Sequence, residues 1–274
     1  MCYPDSEKIK SYLQTQVLGH KIVCVQETES TNTLAKELAR DGEPHGTLVI
    51  CRRQTHGRGK MGRKWESDSD GSLCMSIILR PDISAELTSR YIPAAAIAVV
   101  KALERVNVKS SIKWPNDILA NGKKICGILT ESGFYGEKCA YVVCGIGINV
   151  NNRYECSSDE YLTVEAPAEI KNVASVATSV CDIIGHDTER EKIAAFVLNE
   201  LEKTISLCAD DIGYNALLKE YARASCVLGK EVIVIDGNKR IRGKAVGLDA
   251  IGRIIVLVQG REECFNAGDV SLRM

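Results

Sequence analysis

The sequence feature that most constrains the fold is a change of pattern near Cys226. Before this residue, the chain contains both predicted strands and predicted helices, whereas from Lys230 onward only short strands occur, separated by turns that contain glycine or aspartate. Closely spaced short strands are typical of small β-barrels. We therefore place a domain boundary here and predict a larger domain over residues 1–226 and a small barrel-like module over residues 227–274.

Hydrophobic periodicity and runs of β-branched residues predict the elements of the larger domain. The predicted helices are Ser6–Leu18, Thr31–Arg40, Ser89–Val106, Glu189–Leu207 and Ile212–Ala222, and the predicted strands are Lys21–Gln26, Gly46–Arg52, Leu73–Leu79, Ser111–Trp114, Lys124–Ser132 and Ala140–Asn149. Ser30 or Thr31 is expected to cap the second helix. The third helix is apolar on all sides, so we expect it to be buried against a sheet.

Composition excludes several classes of protein. With 45% hydrophobic and 26% charged residues among 274, the chain is neither disordered nor collagen-like. Its longest uncharged apolar run, Ile92–Val100, is about half of the roughly 20 residues that a membrane span needs. The polar N-terminus lacks the features of a secretory signal, so we expect a cytoplasmic protein that does not enter a membrane.

The cysteines and histidines give no support for a metal site. The 12 cysteines include no C-x-x-C pair, and most lie in apolar stretches, where a reduced thiol packs like a small hydrophobe. None of the four histidines is paired at a spacing typical of metal ligands. We therefore expect no transition metal.

A strongly basic segment is concealed by the near-neutral total charge. The residues from Cys51 to Trp65 include six lysines and arginines and no acidic residue, while the whole chain has 35 basic and 36 acidic side chains. Without those six, 29 basic residues remain against 36 acidic ones, a balance of −7. This loop between two predicted strands suggests an anionic ligand or partner. Because the loop is long and rich in glycine, we expect disorder near Thr55–Asp70 in the ligand-free protein.

The glycines of the basic loop match the sequence pattern of a dinucleotide-binding fingerprint but not its structural context. Gly57, Gly59 and Gly62 satisfy G-x-G-x-x-G, but the fingerprint requires a helix to begin at the third glycine, and here the chain continues into another strand. The loop also interleaves its glycines with basic residues. Arginine and lysine side chains are therefore expected to bind phosphate or carboxylate oxygens, unless the loop is simply solvated or contacts nucleic acid.

A second polar cluster, Lys113–Asp117, has the sequence KWPND at the end of a short strand. Asn116 offers a donor and an acceptor to an adenine edge, and Asp117 is suited to Mg²⁺ or to orienting a polar group. Taken alone, this segment would be a turn with a packed tryptophan. Lys124, alone, would be a solvated lysine at a strand end.

Several motifs in this order and spacing resemble the biotin protein ligase family. They are Ser30-Thr31-Asn32, GRGKMGRKW at Gly57–Trp65, KWPND at Lys113–Asp117, KICGIL from Lys124, and GIGIN at Gly145–Asn149, followed by a C-terminal module that ends in GDVSLR. The resemblance implies an α+β fold, with a mixed sheet flanked by helices and a small C-terminal SH3-like β-barrel. It also implies a two-step reaction. Biotin and Mg-ATP give biotinyl-5′-AMP and pyrophosphate, and the biotinyl group then passes to a lysine of a biotin carboxyl carrier protein or of a carboxylase's biotinyl domain.

The same resemblance implies roles for individual residues, with biotin and ATP as substrates, Mg²⁺ as activator and no transition metal. The catalytic residues would be Lys124, Arg58 and Asp117, and Asp117 would also be the candidate Mg²⁺ ligand. The biotin site would comprise Ser30, Thr31, Asn32, Gln54, Arg58, Gly59, Lys60, Lys124, Gly145 and Gly147. The ATP and adenylate site would comprise Lys60, Arg63, Trp65, Lys113, Asn116 and Asn149. Gly145 and Gly147 are expected to let the backbone pass close to biotin, and Trp65 to pack on the ligand.

One position departs from the usual family pattern GRGRxGR. Lys60 stands where the family has a second arginine, and lysine keeps the charge but loses the planar guanidinium fork. Weaker retention of the adenylate is the expected consequence.

Two other interpretations remain open at this point. A nucleic-acid-binding protein would use the basic loop, although the near-neutral charge and 5% aromatic content do not favour it. A lipoate ligase of the same superfamily would carry a different glycine-rich signature. Since only about 20 residues precede the first predicted strand, and a DNA-binding domain needs ~50 or more, we expect no repressor domain and no DNA partner, but allow for a homodimer.

Overall fold

A seven-stranded mixed sheet forms the centre of the larger part of the chain. The computed structural model describes residues 4–67, 71–154, 177–236, 239–266 and 271–273. The strands of this sheet are β1 (Ile22–Thr28), β2 (Leu48–Gln54), β3 (Ser72–Leu79), β4 (Ser111–Lys113), β5 (Asp117–Ala120), β6 (Lys123–Tyr135) and β7 (Lys138–Asn149). Their spatial order is β1-β2-β3-β7-β6-β5-β4, and only β1 and β2 pair in parallel.

Helices cover both faces of this sheet. They are α1 (Ser6–Tyr12), α2 (Thr31–Arg40), α3 (Tyr91–Glu104), α4 (Val180–Ile184), α5 (Arg190–Ser206) and α6 (Asp211–Ala224). The main core contains almost all of α3, as its apolar sequence predicts, and α3 packs against α5 and α6. On the opposite face, Ala35 and Ala39 of α2 pack on Val49, Ile78 and Val143 of the sheet. The fold is therefore α+β with a mixed sheet flanked by helices, as predicted.

The C-terminal residues form a separate antiparallel sheet of five strands. These are β8 (Glu231–Asp236), β9 (Lys239–Leu248), β10 (Ile254–Val258), β11 (Arg261–Phe265) and β12 (Ser271–Arg273), in the order β11-β10-β9-β8-β12. A small antiparallel sheet is consistent with the SH3-like module expected here. Its buried side chains, including Val234 and Val256, belong to the same hydrophobic core as α3.

The first helix is shorter than predicted. It ends at Tyr12 instead of Leu18, and Leu13 is already extended. The reason is a distant carboxylate, because Glu202 of α5 accepts hydrogen bonds from the backbone N–H groups of residues 16–18 at 2.7–2.9 Å. These N–H groups consequently do not form helical bonds.

Three further elements were not predicted. Strand β5 begins at Asp117, the last residue of the segment interpreted as a turn, α4 is a single short helix, and β12 is a short strand at the edge of the C-terminal sheet. The hairpin of β6 and β7 is also longer than expected, ending at a turn after Tyr135. Within the described part of the chain, helices long and apolar enough to span a bilayer are absent.

Candidate functional site

A cleft lies on the α2 side of the sheet, between the N-terminal end of α2 and the basic loop. It opens to solvent and has a cavity volume of about 130 Å³. All but one of the predicted site residues line it: Ser30, Thr31, Asn32, Gln54, Arg58, Gly59, Lys60, Arg63, Trp65, Lys113, Asn116, Asp117, Lys124, Gly145 and Gly147.

The floor of the cleft is formed where the sheet loses its large side chains. Successive pairs on this face of β3 and β7 are Ile78–Val143, Ser76–Gly145 and Cys74–Gly147. The first pair packs under α2, while the next two leave space above the sheet. Gly127 of β6 pairs with Gly147 and extends the floor toward β5.

The two glycines of β7 make room for protein groups. A Cβ at Gly145 would lie 2.0 Å from Asn32 Oδ1. At Gly147, it would lie 2.5 Å from the Trp65 ring. Glycine at these positions therefore allows Asn32 and Trp65 to lie directly on the floor. The approach of the two glycines to biotin stays a prediction.

The N-terminal end of α2 is held by β2. Ser30 occupies the N-cap position, but its side chain forms no capping hydrogen bond, so the expectation of a side-chain cap from Ser30 is wrong. Instead, the backbone N–H of Thr31 donates to Gln54 Oε1 at 2.8 Å. An orphan N–H of the first helical turn is thereby satisfied, and Gln54 is fixed at the cleft wall.

A buried polar network lies beneath this end of α2. Asn32 Nδ2 donates to the backbone oxygen of Leu129 at 3.1 Å and to Glu131 Oε2 at 3.0 Å. Ser76 Oγ donates to Asn32 Oδ1 at 2.7 Å. Ser76 and Glu131 were not predicted as site residues, because neither belongs to a motif and only strand pairing brings them to Asn32.

The basic loop follows a defined path over the cleft through residues 55–67, most of the segment for which disorder is predicted in the ligand-free protein. Backbone bonds join Gly59 N–H to the Arg63 oxygen at 2.7 Å and Trp65 N–H to the Gly57 oxygen at 2.9 Å. Arg58 and Lys64 form an antiparallel bridge. These contacts make a short hairpin with a single 3₁₀ turn at Lys60–Gly62. Residues 68–70, the end of the segment predicted to be disordered, lie outside the described residues.

The charges of the cleft are strongly unequal. Among the described residues that line it, Arg58, Lys60, Arg63, Lys64, Lys113 and Lys124 are cationic, and Asp117 carries the one carboxylate. Lys124 Nζ contacts Asp117 Oδ1 at 2.6 Å and lies 5.5 Å from the centre of the Trp65 ring. The site is therefore suited to a ligand with several negative charges.

The KWPND segment is anchored on three sides. The peptide bond between Trp114 and Pro115 is cis. Trp114 Nε1 donates to the Gly252 oxygen of the C-terminal module at 3.1 Å, and the Tyr221 hydroxyl donates to the Pro115 oxygen at 2.9 Å. Asn116 Nδ2 donates to the backbone oxygen of Ile128 at 2.7 Å, so one donor of the amide that was predicted to read adenine is already engaged.

Asn149 is the one predicted site residue that does not line the cleft. It is buried at the end of β7, where its Nδ2 donates to the backbone oxygens of Thr178 at 3.1 Å and Lys124 at 3.5 Å. The Thr178 N–H in turn donates to the Lys124 oxygen at 2.9 Å. The geometry indicates that Asn149 secures the start of β6, which presents Lys124. Its contact with a nucleotide stays a prediction.

The cysteines of the described residues are free thiols, and most are buried. Burial raises the pKa of Cys126, two residues from Lys124, and raises the pKa of Cys144 to about 12. Buried, protonated thiols pack in the core and react slowly. Groups of three or more histidine, cysteine or acidic side chains placed to hold a metal are absent from the described residues.

Comparison with known proteins places this fold and this site in one family. The profile described as the Biotin/lipoate A/B protein ligase family matches residues 22–149, and the profile of the Biotin protein ligase C terminal domain matches residues 227–273. A curated relative, the bifunctional ligase/repressor BirA of Bacillus spizizenii, is 34% identical over 98% of this chain and 79% of its own length. The biotin--[acetyl-CoA-carboxylase] ligase of Mycobacterium tuberculosis is 30% identical over 94% of this chain and 93% of its own.

A solved structure supports the same assignment. The biotin protein ligase of Aquifex aeolicus in complex with biotin and ATP superposes with a TM-score of 0.73 at 30% identity, covering 93% of this chain and 99% of that one. The agreement extends over both the mixed sheet and the C-terminal module, and the chain belongs to the biotin protein ligase family.

Proposed function

We propose that this protein activates biotin with Mg-ATP and transfers the biotinyl group to a lysine of a biotin carboxyl carrier protein or a carboxylase's biotinyl domain. The observation that carries the proposal is the cleft with six cations and one carboxylate, in a chain whose Aquifex aeolicus relative is described as binding biotin and ATP. In the first step, a biotin carboxylate oxygen bonds to the α-phosphorus and the bond to the β-phosphate bridging oxygen breaks, which releases pyrophosphate. In the second, a lysine amine bonds to the acyl carbon and AMP leaves.

The biotin carboxylate and the α-phosphate of ATP are both anionic, so their approach requires cationic groups that contact each of them. Arg58, Lys60 and Arg63 of the loop line the cleft together with Lys113 and Lys124. A compact ammonium such as Lys124 Nζ can contact the carboxylate and the α-phosphate together, while the guanidinium groups hold phosphate oxygens in pairs. Fixed charge and positioning are expected to supply most of the rate enhancement.

The biotin head group is assigned to the polar end of the cleft. Ser30, Thr31, Asn32 and Gln54 surround the N-terminal end of α2, with Gly145 behind them. The ureido ring of biotin has two N–H donors and one carbonyl acceptor, so a wall of hydroxyl and amide groups matches it. Gly59 allows the loop backbone to approach, and Trp65 supplies an apolar surface for the rest of the molecule.

The nucleotide is assigned to the side of the cleft nearest the C-terminal module. Lys60, Arg63 and Lys113 would contact phosphates there. The side-chain oxygen of Asn116 would accept a hydrogen bond from the adenine amine, because only its Nδ2 is engaged by the Ile128 oxygen. Asp117 is the carboxylate placed to hold Mg²⁺, because magnesium in nucleotide sites needs one or two carboxylates besides the phosphates. Such a cation supplies charge neutralisation at the phosphates when bound. Lys124, now paired with Asp117, would then be free to turn toward the substrate.

The wider setting is proposed on the same basis. Free, buried cysteines suit a reducing compartment, so we place the protein in the cytoplasm. We retain the division at residues 1–226 and 227–274 as two modules that share one core, and a homodimer as the assembly to be examined.

The test is biotin-dependent exchange between ATP and radiolabelled pyrophosphate. The wild type is expected to exchange only when biotin is present, and Lys124→Ala is expected to reduce exchange by at least 100-fold, as estimated for a charge acting on the reacting atoms. Lys123→Ala is the matched control, because Lys123 precedes Lys124 in β6 and is not among the described lining residues. Exchange with lipoate alone would favour a lipoate ligase. Absence of exchange together with salt-sensitive DNA binding would favour a nucleic-acid-binding protein.

A further inference from the structure

Glu131 of β6 joins three groups of the biotin side of the cleft without lining the cleft itself. Its Oε2 accepts from Asn32 Nδ2 at 3.0 Å, and its Oε1 lies 2.5 Å from Lys36 Nζ of α2 and 3.4 Å from Arg58 Nη1 of the loop. The side chain is 20% exposed. A carboxylate thus connects α2, the basic loop and the sheet at a single point.

The contact with Asn32 determines which way the amide points. Both hydrogens of Asn32 Nδ2 are used, one by the Leu129 oxygen and one by Glu131, and both of these groups can only accept while Glu131 is ionised. The other neighbour, the Ser76 hydroxyl, can donate or accept. Glu131 therefore favours the orientation in which Asn32 Oδ1 faces Ser76.

This orientation fixes the direction of the next hydrogen bonds. Since Asn32 Oδ1 has no hydrogen, the single hydrogen of the Ser76 hydroxyl goes to it, at 2.7 Å. The Thr31 hydroxyl lies 2.8 Å from Ser76 Oγ and 3.2 Å from Gln54 Oε1. With the Ser76 hydrogen already committed, the shorter contact requires Thr31 to donate to Ser76. The remaining lone pairs of Thr31 Oγ1 are then available to the cleft.

We propose that Glu131 is a positioning residue that orients the hydrogen-bond chain Asn32–Ser76–Thr31, so that the Thr31 hydroxyl presents an acceptor to a ureido N–H of biotin. This role rests on the proposed function, because the ureido ring supplies the donor that Thr31 would meet. Were the amide of Asn32 reversed, Ser76 would donate to Thr31 and occupy one lone pair of Thr31 Oγ1, and the Thr31 hydrogen would turn to Gln54 Oε1, 3.2 Å away, or to the cleft. Thr31 would then offer the substrate fewer acceptor positions.

The charge state that the role requires is maintained at neutral pH. Burial favours the neutral form of Glu131, but hydrogen bonds from Lys36 and Asn32 and the charges of Lys36 and Arg58 outweigh it, and the pKa of Glu131 falls below its usual range. The Glu131 carboxylate is therefore ionised in the folded protein at neutral pH, and it can only accept hydrogen bonds.

A double-mutant cycle on biotin affinity tests this role. Glu131→Gln keeps the size of the side chain but adds an amide donor that can oppose Asn32, and is expected to raise the biotin Kd about tenfold by isothermal titration calorimetry. The KM for ATP in the exchange assay is expected to stay within about twofold. On an Asn32→Ala background, Glu131→Gln is expected to add less than about twofold, because the group it acts through is gone. Glu27→Gln, which removes an exposed glutamate paired with Arg53, is the matched control.

Ser76→Ala gives a second route to the same answer if Glu131→Gln folds poorly. It interrupts the chain between Asn32 and Thr31 and is expected to raise the biotin Kd to a similar extent. Fully additive effects of Glu131 and Asn32, an equal rise in the KM for ATP, or wild-type affinity in Ser76→Ala would each contradict the role. If the wild type binds biotin and Glu131→Gln binds it equally well, only the role of Glu131 is lost. If the wild type binds no biotin, the proposed function fails as well.

Discussion

At the scale of single residues, the site depends on two positions of β7 that are glycine and therefore have no side chain. Gly145 and Gly147 lie next to each other on one face of the strand, and each leaves a space that a distant residue fills. A methyl group at either position would compete with a polar or aromatic group that itself contacts the ligand region. The sequence pattern predicted that both glycines line the site, which the cleft confirms, but it could not reveal Asn32 and Trp65 as their neighbours across the fold.

Gly145→Ala is expected to raise the biotin KM at least tenfold while the protein remains folded. The added Cβ would lie 2.0 Å from Asn32 Oδ1, so the amide must move and the network beneath α2 is broken. Biotin titrations in the exchange assay measure the effect. Gly247→Ala is the control, because its Cβ would meet no atom closer than 3.9 Å. Unchanged biotin KM in Gly145→Ala would show that Asn32 is not needed for binding.

A substitution at Lys60 separates the effect of positive charge from the effect of the planar guanidinium geometry. Its Nζ lies 5.9 Å from the centre of the Trp114 ring at the nucleotide side of the cleft. Lys60→Arg is expected to slow release of the adenylate several-fold, because a planar guanidinium can hold two oxygens where an ammonium acts as a point charge. Single-turnover release of labelled biotinyl-AMP measures the rate, with Lys123→Arg as control. An unchanged release rate would refute the expectation.

At the scale of secondary structure, elements with strong local signals were predicted well. Helix α3 and strands β2, β3 and β7 are rich in apolar residues, which predicts buried elements, and the structure buries them. Errors occurred where a distant group satisfies the backbone. The chain after Tyr12 keeps enough apolar residues to suggest a longer helix, yet three of its N–H groups bond to Glu202, which lies more than 180 residues away.

Glu202→Gln is expected to destabilise the protein by about 1 kcal/mol at pH 7, since it weakens three charge-assisted bonds at a partly exposed site. Burial raises the pKa of Glu202, but the bonds from Leu18, Gln16 and Val17 lower it more, and its pKa is below the usual range in the folded state. Its stabilising contribution is therefore complete above the unfolded pKa of about 4.3 and is lost as pH falls through the folded value.

Chemical denaturation of wild type and Glu202→Gln across the range from pH 7 to pH 3 tests this expectation. The difference in free energy of unfolding should be constant at neutral pH and should shrink below about pH 4. Glu7→Gln is the control, because Glu7 is an exposed partner of Lys10 and such pairs contribute little. A difference that is independent of pH would mean that the charge of Glu202 is not what holds residues 16–18.

At the scale of the whole molecule, the sequence located most of the cleft but not how its walls are supported. Residues within a motif are close in the chain, so their local order predicts that they act together. The supporting contacts join residues far apart: Asn32 with Glu131, 99 positions away, and Trp114 with Gly252, 138 positions away. Such pairs depend on strand register and module docking, which a single sequence does not reveal.

The contact of Trp114 with Gly252 joins the C-terminal module to the part of the cleft where we propose that the nucleotide binds. Trp114 is buried, and its indole N–H donates to a turn of that module, while the next residues, Pro115 to Asp117, continue along the cleft. Because the hydrophobic core is continuous through Val234 and Val256, the module is docked firmly enough to define the position of this turn. The module should accordingly influence the ATP side of the reaction more than the biotin side.

Trp114→Phe is expected to raise the KM for ATP about fivefold, because it removes one hydrogen bond worth about 1 kcal/mol while keeping an aromatic ring in the core. The biotin Kd should change less than about twofold, since the biotin side of the cleft is built by α2, β3 and β7. Exchange kinetics with each substrate varied in turn measure the two effects. Tyr221→Phe is the matched control, because it releases the Pro115 oxygen from α6 but leaves the contact with the C-terminal module intact. If Trp114→Phe weakened biotin and ATP equally, the indole bond would support the cleft as a whole, and the separate dependence of the nucleotide side on the C-terminal module would be disproved.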